Sequence, residues 1–312
     1  MSRFTINSFL IITLLFGPAF ASATTCSGTG IEVQVLGSGG PETQDMRASS
    51  SYVIWINGKS RVLVDSGGGS ALRFGQGGAQ MQDLDLVLFT HLHADHSADF
   101  PALVKSSFFE DRTQPLPVYG PTGNTLFPAT TEFIQVMFNA KTGAFRYLYD
   151  FITPGAASYT IEAHDVDTAK PAVSTVYSDK GLKVSAVPVI HGPVPALAWR
   201  VDTAGKRMVF SGDTNGNGGG LEQLARQADL LVAHNAVPEG TTGVARNLHM
   251  PPSVIGQIAA AAQVKQLVLS HRMLRTLGKE DETLRYIRNT YSGPVSFADD
   301  LDCYSLGNGE LE

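Results

Sequence analysis

The order of elements along this chain predicts an α/β protein in which two β-sheets are covered by helices on their outer faces. Hairpins and strands dominate the first part, yet strand–helix alternation recurs in both halves. Neither a purely antiparallel nor a purely wound architecture accommodates that order, and two packed sheets with outside helices is the economical layered answer. Several of the apolar strands also end on a histidine or an aspartate, which places polar chemistry at strand termini.

The elements follow in order. Ile31 to Leu36 alternates apolar with polar residues before Gly37-Ser38-Gly39-Gly40-Pro41 breaks the strand. Tyr52 to Ile56 and Arg61 to Val64 flank Asn57-Gly58, a pair that tolerates the positive φ of a type I′ hairpin turn. Leu84 to Phe89 reads as a buried strand running into Thr90 and His91. Val118-Tyr119 precedes a turn at Gly120-Pro121-Thr122-Gly123, and a helix is expected over Leu126 to Asn139. Between Lys141 and Lys180, Phe145, Tyr147, Tyr149 and Phe151 alternate as in a strand, so an insertion or a pair of edge strands is expected.

The second half is more regular. Leu182 to Ile190 ends at His191, and Trp199–Asp202 and Arg207–Phe210 flank a Thr203-Ala204-Gly205 turn. Helix Leu221–Ala228 leads to strand Leu230–Ala233, which ends at His234. Pro251-Pro252 opens a helix through Ala262, since proline is tolerated in a first helical turn. Strand Gln266–Ser270 ends at His271, and a helix over Asp281–Asn289 precedes a last strand, Val295–Phe297.

The 312 residues are 43% hydrophobic and 17% charged, enough apolar material for a substantial core. Arg3, the apolar run Phe9 to Phe16 and the small residues Ala21-Ser22-Ala23 form a signal-peptide pattern. Residues 1–23 are therefore expected to be removed, with 24–312 as one domain in the periplasm or secreted. The apolar run is short for a membrane span, so no stable membrane association is expected. Export permits Cys26 and Cys303 to pair. The loop so closed would contribute roughly 4–5 kcal/mol in the chain-entropy account; two unpaired buried thiols are the other reading. The 23 Lys+Arg stand against 29 Asp+Glu, a formal net charge of -6 that argues against a broad nucleic-acid footprint.

The chemistry concentrates in Thr90–Asp99, THLHADHSAD. His91, His93, Asp95 and His96 crowd metal-ligand side chains directly after a buried strand. In an extended segment His91 and His93 face one side, while Asp95 and His96 follow where the chain turns into a helix. Imidazole and carboxylate together suit zinc and other divalent first-row metals. His191, Asp213 and His271 each follow an apolar strand as well, and converging strand ends give rigid positions.

With these motifs the chain resembles the metallo-beta-lactamase fold superfamily. VLGSGGP at Val35–Pro41, VDSGGG at Val64–Gly69, VYGPTG at Val118–Gly123 and LVLSH at Leu267–His271 resemble one branch of it. That branch holds tRNA 3′-processing ribonucleases, microbial arylsulfatases and class II cyclic-nucleotide phosphodiesterases. The resemblance implies an αββα four-layer sandwich with two divalent metals, zinc first and manganese or iron as alternatives. It implies that His91, His93 and His191 hold one ion, that Asp95, His96 and His271 hold the second, and that Asp213 bridges. Asp65 matches the strand-end aspartate that supports the histidine loop from behind; capping the Gly67–Gly69 turn is its plain alternative. His249 matches an extra histidine near the substrate, fit to stabilise an ester oxygen or to protonate a leaving alkoxide.

The chain departs from the ribonucleases in two ways. His234-Asn235-Ala236 stands where they often have His-Glu-Ala, and no long basic, glycine-rich arm is evident. With export and the acidic balance, these departures lead to the expectation that tRNA is not a partner. A small-molecule ester is expected instead, with homo-oligomerisation left open. The expected reaction is hydrolysis of a phosphodiester or aryl sulfate by a metal-bound hydroxide, with His249 and Asp213 in the catalytic machinery. A lactonase or other hydrolase of this fold is the alternative, and an exported metal-binding protein with a vestigial site is the non-enzyme alternative.

Overall fold

The computed structural model describes residue 26 and residues 28–308; the leader expected at 1–23 lies outside the described residues. The first sheet carries β1 (Ile31–Gly37), β2 (Ser51–Ile56), β3 (Lys59–Val64), β4 (Leu86–Leu88), β5 (Leu116–Pro121) and β6 (Ile161–Val166). The second carries β7 (Ser174–Asp179), β8 (Leu182–His191), β9 (Val194–Thr203), β10 (Lys206–Phe210), β11 (Leu230–His234), β12 (Leu267–Ser270) and β13 (Val295–Phe297). The chain then returns to the first sheet as β14 (Cys303–Ser305), beside β1. Each sheet has seven strands, in the orders β14-β1-β2-β3-β4-β5-β6 and β13-β12-β11-β10-β9-β8-β7.

Both sheets change character partway. β1–β2–β3 and β7–β8–β9–β10 pair antiparallel, whereas β3–β4–β5–β6 and β10–β11–β12–β13 pair parallel. Parallel neighbours need crossovers, and these supply the outer helices. They are α1 (Ser70–Gln76), α2 (Ala94–Ser97), α3 (Phe100–Ser106), α4 (Thr130–Phe138), α5 (Gly220–Leu224), α6 (Gly243–Leu248), α7 (Pro252–Ala261) and α8 (Glu280–Arg288).

Three apolar clusters separate the four layers. Val33, Ile54, Val62 and Leu88 meet Val184, Trp199, Val201 and Phe210 between the sheets. Val53, Leu63, Val87 and Phe89 face Phe100, Leu103, Ile134 and Phe138 on one outside. Ala198, Val209 and Leu231 face Leu224, Ile255, Ala259 and Ile287 on the other. This is the αββα sandwich, and the strict in–out alternation of β2 and β10 is what gives each sheet two buried faces.

Several expectations need correction. The aromatic run 145–151 forms a 3₁₀ helix, Arg146–Ile152, that buries Leu148 and Phe151 and exposes Tyr147 and Tyr149. The spacing of three between the buried pair, rather than the alternation of aromatics, set its conformation. β5 continues through Gly120 and Pro121, where a turn was expected, because β6 pairs with both. α4 begins only at Thr130, since Asn124 Oδ1 accepts from the backbone of Leu126 and Phe127 and holds them in a turn. α5 stops at Leu224. The expected edge strands are β6 and β7, one at the border of each sheet. The Asn57-Gly58 turn has φ of 50° and 77°, as the type I′ reading requires.

Candidate metal centre

Strand ends from both sheets meet at one edge of the sandwich. β4 delivers Thr90 and His91, β8 ends in His191, β10 leads to Asp213, β11 ends in His234, and β12 leads to His271. Ligand sites gather outside the carboxyl ends of parallel strands because loops there are free to vary over a rigid frame. His93 caps α2, and Asp95 and His96 lie within it.

The expected ligands are brought together. Ligand atoms of His91, His93 and His191 lie within 4.8 Å of one another, and so do those of His96, Asp213, His234 and His271. Asp213 joins the groups: its Oδ2 lies 4.0 Å from His91 Nε2, 3.8 Å from His96 Nε2 and 3.6 Å from His191 Nε2. Its Oδ1 lies 3.4 Å from His271 Nε2. Asp95 Oδ2 stands 3.2 Å from His271 Nε2 and 3.6 Å from His96 Nε2. His249 closes the ring, its Nδ1 3.7 Å from Asp213 Oδ2.

Asp65 is fully buried and reaches the histidine loop. Its carboxylate accepts from Thr90 N at 2.7 Å and Thr90 Oγ1 at 2.8 Å, and pairs with His96 Nδ1 at 2.8 Å. That bond occupies Nδ1, so Nε2 of His96 is the nitrogen left facing Asp95 and Asp213. His191 Nδ1 likewise donates to Leu248 O, 2.9 Å away, and leaves Nε2 toward the site. Both Asp65 and His271 hold a left-handed backbone, with φ of 57° and 51°. Such strain at non-glycine residues persists only where surrounding contacts over-determine it.

The residues fit divalent ions. His96 Nε2 and His191 Nε2 are buried without a hydrogen-bond partner among the described residues, a costly condition that a cation relieves. Burial holds His91 well below the ordinary histidine range and lowers His93, leaving neutral imidazoles fit to donate lone pairs. His96 goes the other way. Burial opposes its charge, but Asp65 and Asp95 carry it up to about 9. Asp213 is held well below the carboxylate range; burial would raise it, and His271 and His249 outweigh that. Together the clusters have the geometry of a two-metal hydrolase centre.

Sequence reasoning overlooked three residues. His234 is buried, with Nδ1 2.7 Å from Asp213 Oδ1 and Nε2 3.0 Å from the Tyr52 hydroxyl, and burial pushes it down to about 3. Its signal was present, for His234 ends an apolar strand as His191 does. Tyr52 carried no signal beyond an apolar strand position. Arg275 lies near enough to His249 to add to the burial that lowers that histidine to about 4. Among aromatic residues, Phe127 packs edge-on 5.7 Å from His93. Phe133 and Phe138 pack instead against Phe89 and Phe100 in the core.

Comparison with known proteins agrees with this geometry. Residues 60–272 match the family model described as Beta-lactamase superfamily domain. Ribonuclease Z of Mycolicibacterium paratuberculosis is 30% identical over 291 residues, spanning 87% of this chain and 96% of that protein. Human tRNase Z, short form, shares the fold with a TM-score of 0.69 at 22% identity, over 88% of this chain and 99% of its own. The metallo-beta-lactamase fold protein YhfI from Bacillus subtilis does so with a TM-score of 0.68 at 22% identity, over 88% and 98%.

These relatives overturn the expectation that tRNA is not a partner, since the chain spans nearly all of a ribonuclease Z. The physical error was to read a whole-chain charge as a local one. Net charge averages over the surface, whereas a nucleic acid meets the groups around one site. There Arg246 Nη1 donates to His249 O, and the charge of Arg275 reaches the same histidine. The chain belongs to the metallo-beta-lactamase fold superfamily and is homologous to its ribonuclease Z members.

Proposed function

We propose that this protein is a dinuclear, zinc-dependent phosphodiesterase, with RNA among the phosphodiesters to be tested because its curated relatives are ribonucleases Z. The observation that carries the reading is Asp213, whose carboxylate lies within 4.0 Å of ring nitrogens from both histidine groups and from His249. His91, His93 and His191 would hold one ion, Asp95, His96 and His271 the other, and Asp213 would bridge. Two divalent ions held by these residues would lower the pKa of bound water and neutralise charge developing on the ester.

The protein's own groups then orient and discriminate. Asp65 fixes the His96 ring, and the Leu248 carbonyl fixes that of His191. Arg275 adds positive charge on the side of His249, which suits an anionic ester. His249 is neutral before substrate arrives, because burial holds it near 4. An anion brought beside it would raise that value and let it serve as a proton donor. Phe127, against His93, favours an aryl or nucleoside group on the ester, which keeps aryl sulfates as a second reading.

Export belongs to the same proposal. Cys26 and Cys303 are disulfide-bonded, which supports an oxidising compartment. The test is a substrate panel on metal-replete protein: bis-p-nitrophenyl phosphate, a cyclic nucleotide, a 3′-extended RNA, an aryl sulfate, a lactone and a cephalosporin. Phosphodiesters should be cleaved, with activity lost to chelator and restored by zinc. Turnover of the lactone alone would overturn the phosphodiesterase reading.

A further inference from the structure

The two oxygens of Asp213 have different surroundings. Oδ2 faces the ring nitrogens of His91, His96, His191 and His249 at 3.6–4.0 Å. Oδ1 is tied at 2.7 Å to His234 Nδ1, its shortest ring contact, and lies 3.4 Å from His271 Nε2. A carboxylate oxygen only accepts, so Nδ1 of His234 must carry the proton. The opposite nitrogen, Nε2, lies 3.0 Å from Tyr52 Oη, whose single proton serves either that nitrogen or Ser270 Oγ, also 3.0 Å away. Tyr52, His234 and Ser270 are 0%, 2% and 0% exposed, so water does not compete for these bonds.

The origin of the three residues matters. His234 and Ser270 are register partners at the ends of β11 and β12 in the second sheet. Tyr52 comes from β2 in the first sheet, and its ring packs 5.4 Å from Phe210, at the end of the strand that leads to Asp213. A side chain of one sheet thus holds an imidazole of the other, and that imidazole holds one oxygen of the carboxylate. Rotation of Asp213 would break the bond to His234, and tilting of His234 would break the bond to Tyr52.

We infer that His234 and Tyr52 are positioning residues that lock one oxygen of Asp213 so that the other is aimed at both metal positions. The inference rests on the reading of Asp213 as the bridging ligand. It also assigns His234 a place behind the carboxylate rather than on an ion, although its ring lies close enough to the second group to be mistaken for a ligand.

The test is zinc affinity measured by competition with a chromophoric chelator, together with ¹⁵N spectra of histidine-labelled protein. His234→Ala should weaken zinc binding by about 10–100-fold, the range found when a group supporting a ligand is removed. His234→Asn places an amide N–H where Nδ1–H stood and should stay within a few-fold of the parent. Tyr52→Phe removes only the hydroxyl and should weaken zinc several-fold with little change in thermal midpoint. The spectra should show His234 Nδ1 protonated, and cadmium-loaded protein should show no ¹¹³Cd coupling to His234.

Unchanged zinc affinity in both His234→Ala and Tyr52→Phe would overturn the inference, as would an Asn variant no better than Ala. Cadmium coupling to His234 would overturn it too, by making the ring a ligand. If His234→Ala does not fold, Tyr52→Phe and the spectra still decide. Asp213→Ala separates the two levels: if it keeps both ions, the bridging reading fails, whereas loss in Asp213→Ala alone defeats only the positioning role.

Discussion

Asp213 and His249 stand 3.7 Å apart and are expected to fail differently when removed. Asp213→Ala should lose metal and activity together. His249→Ala should keep both ions, read by metal analysis, and lose turnover by about 10²–10⁴-fold, as for a positioned acid–base group. The loss should shrink on nitrophenyl esters if His249 protonates the leaving group, and persist if it stabilises the other ester oxygens. Full activity on every ester would remove both roles. His96 makes a pH prediction. When no metal is bound, Asp65 and Asp95 overcome burial and raise it to about 9, so at neutral pH zinc must displace its proton. Apparent zinc affinity should therefore rise with pH up to about 9 and then level. Calorimetry at pH 7 in two buffers of different ionisation enthalpy should detect the released proton; identical heats would contradict it.

At the scale of elements, the site is a set of strand ends held in register by tight turns. The Gly67 loop carries the clearest constraint. A Cβ at Gly67 would run into the backbone oxygen of Asp95 and the side chain of Ser49, and Ser66 N already donates to His96 O, 2.8 Å away. The turn after β3 therefore sets how closely α2 approaches, and α2 carries Asp95 and His96. Gly67→Ala should cost about 1–3 kcal/mol by overpacking and should weaken zinc binding, both readable by urea denaturation with and without metal. Wild-type stability and affinity would show that α2 moves freely on the turn. Gly40 meets the other side of the site, where a Cβ would lie 2.7 Å from His271 Cε1. These contacts explain the glycine-rich breaks after β1 and β3 better than turn formation alone.

Across the whole molecule, the two halves repeat one plan: antiparallel strands lead into parallel ones, and each half sends candidate ligands to the same edge. The chain closes on itself at the far border, where β14 pairs with β1 and Cys303 bonds Cys26, 277 positions away in sequence. Arg47 and Asp300 reinforce this closure: Arg47 donates to Ser38 Oγ and Ala298 O, and Asp300 accepts from Ser38 and Ala48. Reduction of the disulfide should lower unfolding free energy by about 2–4 kcal/mol, seen as a shift of the urea midpoint with the native spectrum retained. Two free thiols in protein from an oxidising compartment would refute the crosslink.

The kind of chemistry and the layering were legible in the order of residues alone. His91, His93, Asp95 and His96 were legible as candidate ligands because four such side chains within six positions, directly after an apolar strand, have few structural explanations. His191, Asp213 and His271 were legible by the same strand-end pattern, and the alternation of apolar residues carried the two sheets. Which polar groups meet follows from how the sheets pack. Tyr52 and His234 lie 182 positions apart, and the bond between them exists only because the two sheets pack face to face. The 3₁₀ turn at 146–152 and the arginines near His249 were equally hidden, since burial and local charge depend on neighbours that the chain order does not name. Periodicity reports which face of an element is apolar; it does not report what that face will touch.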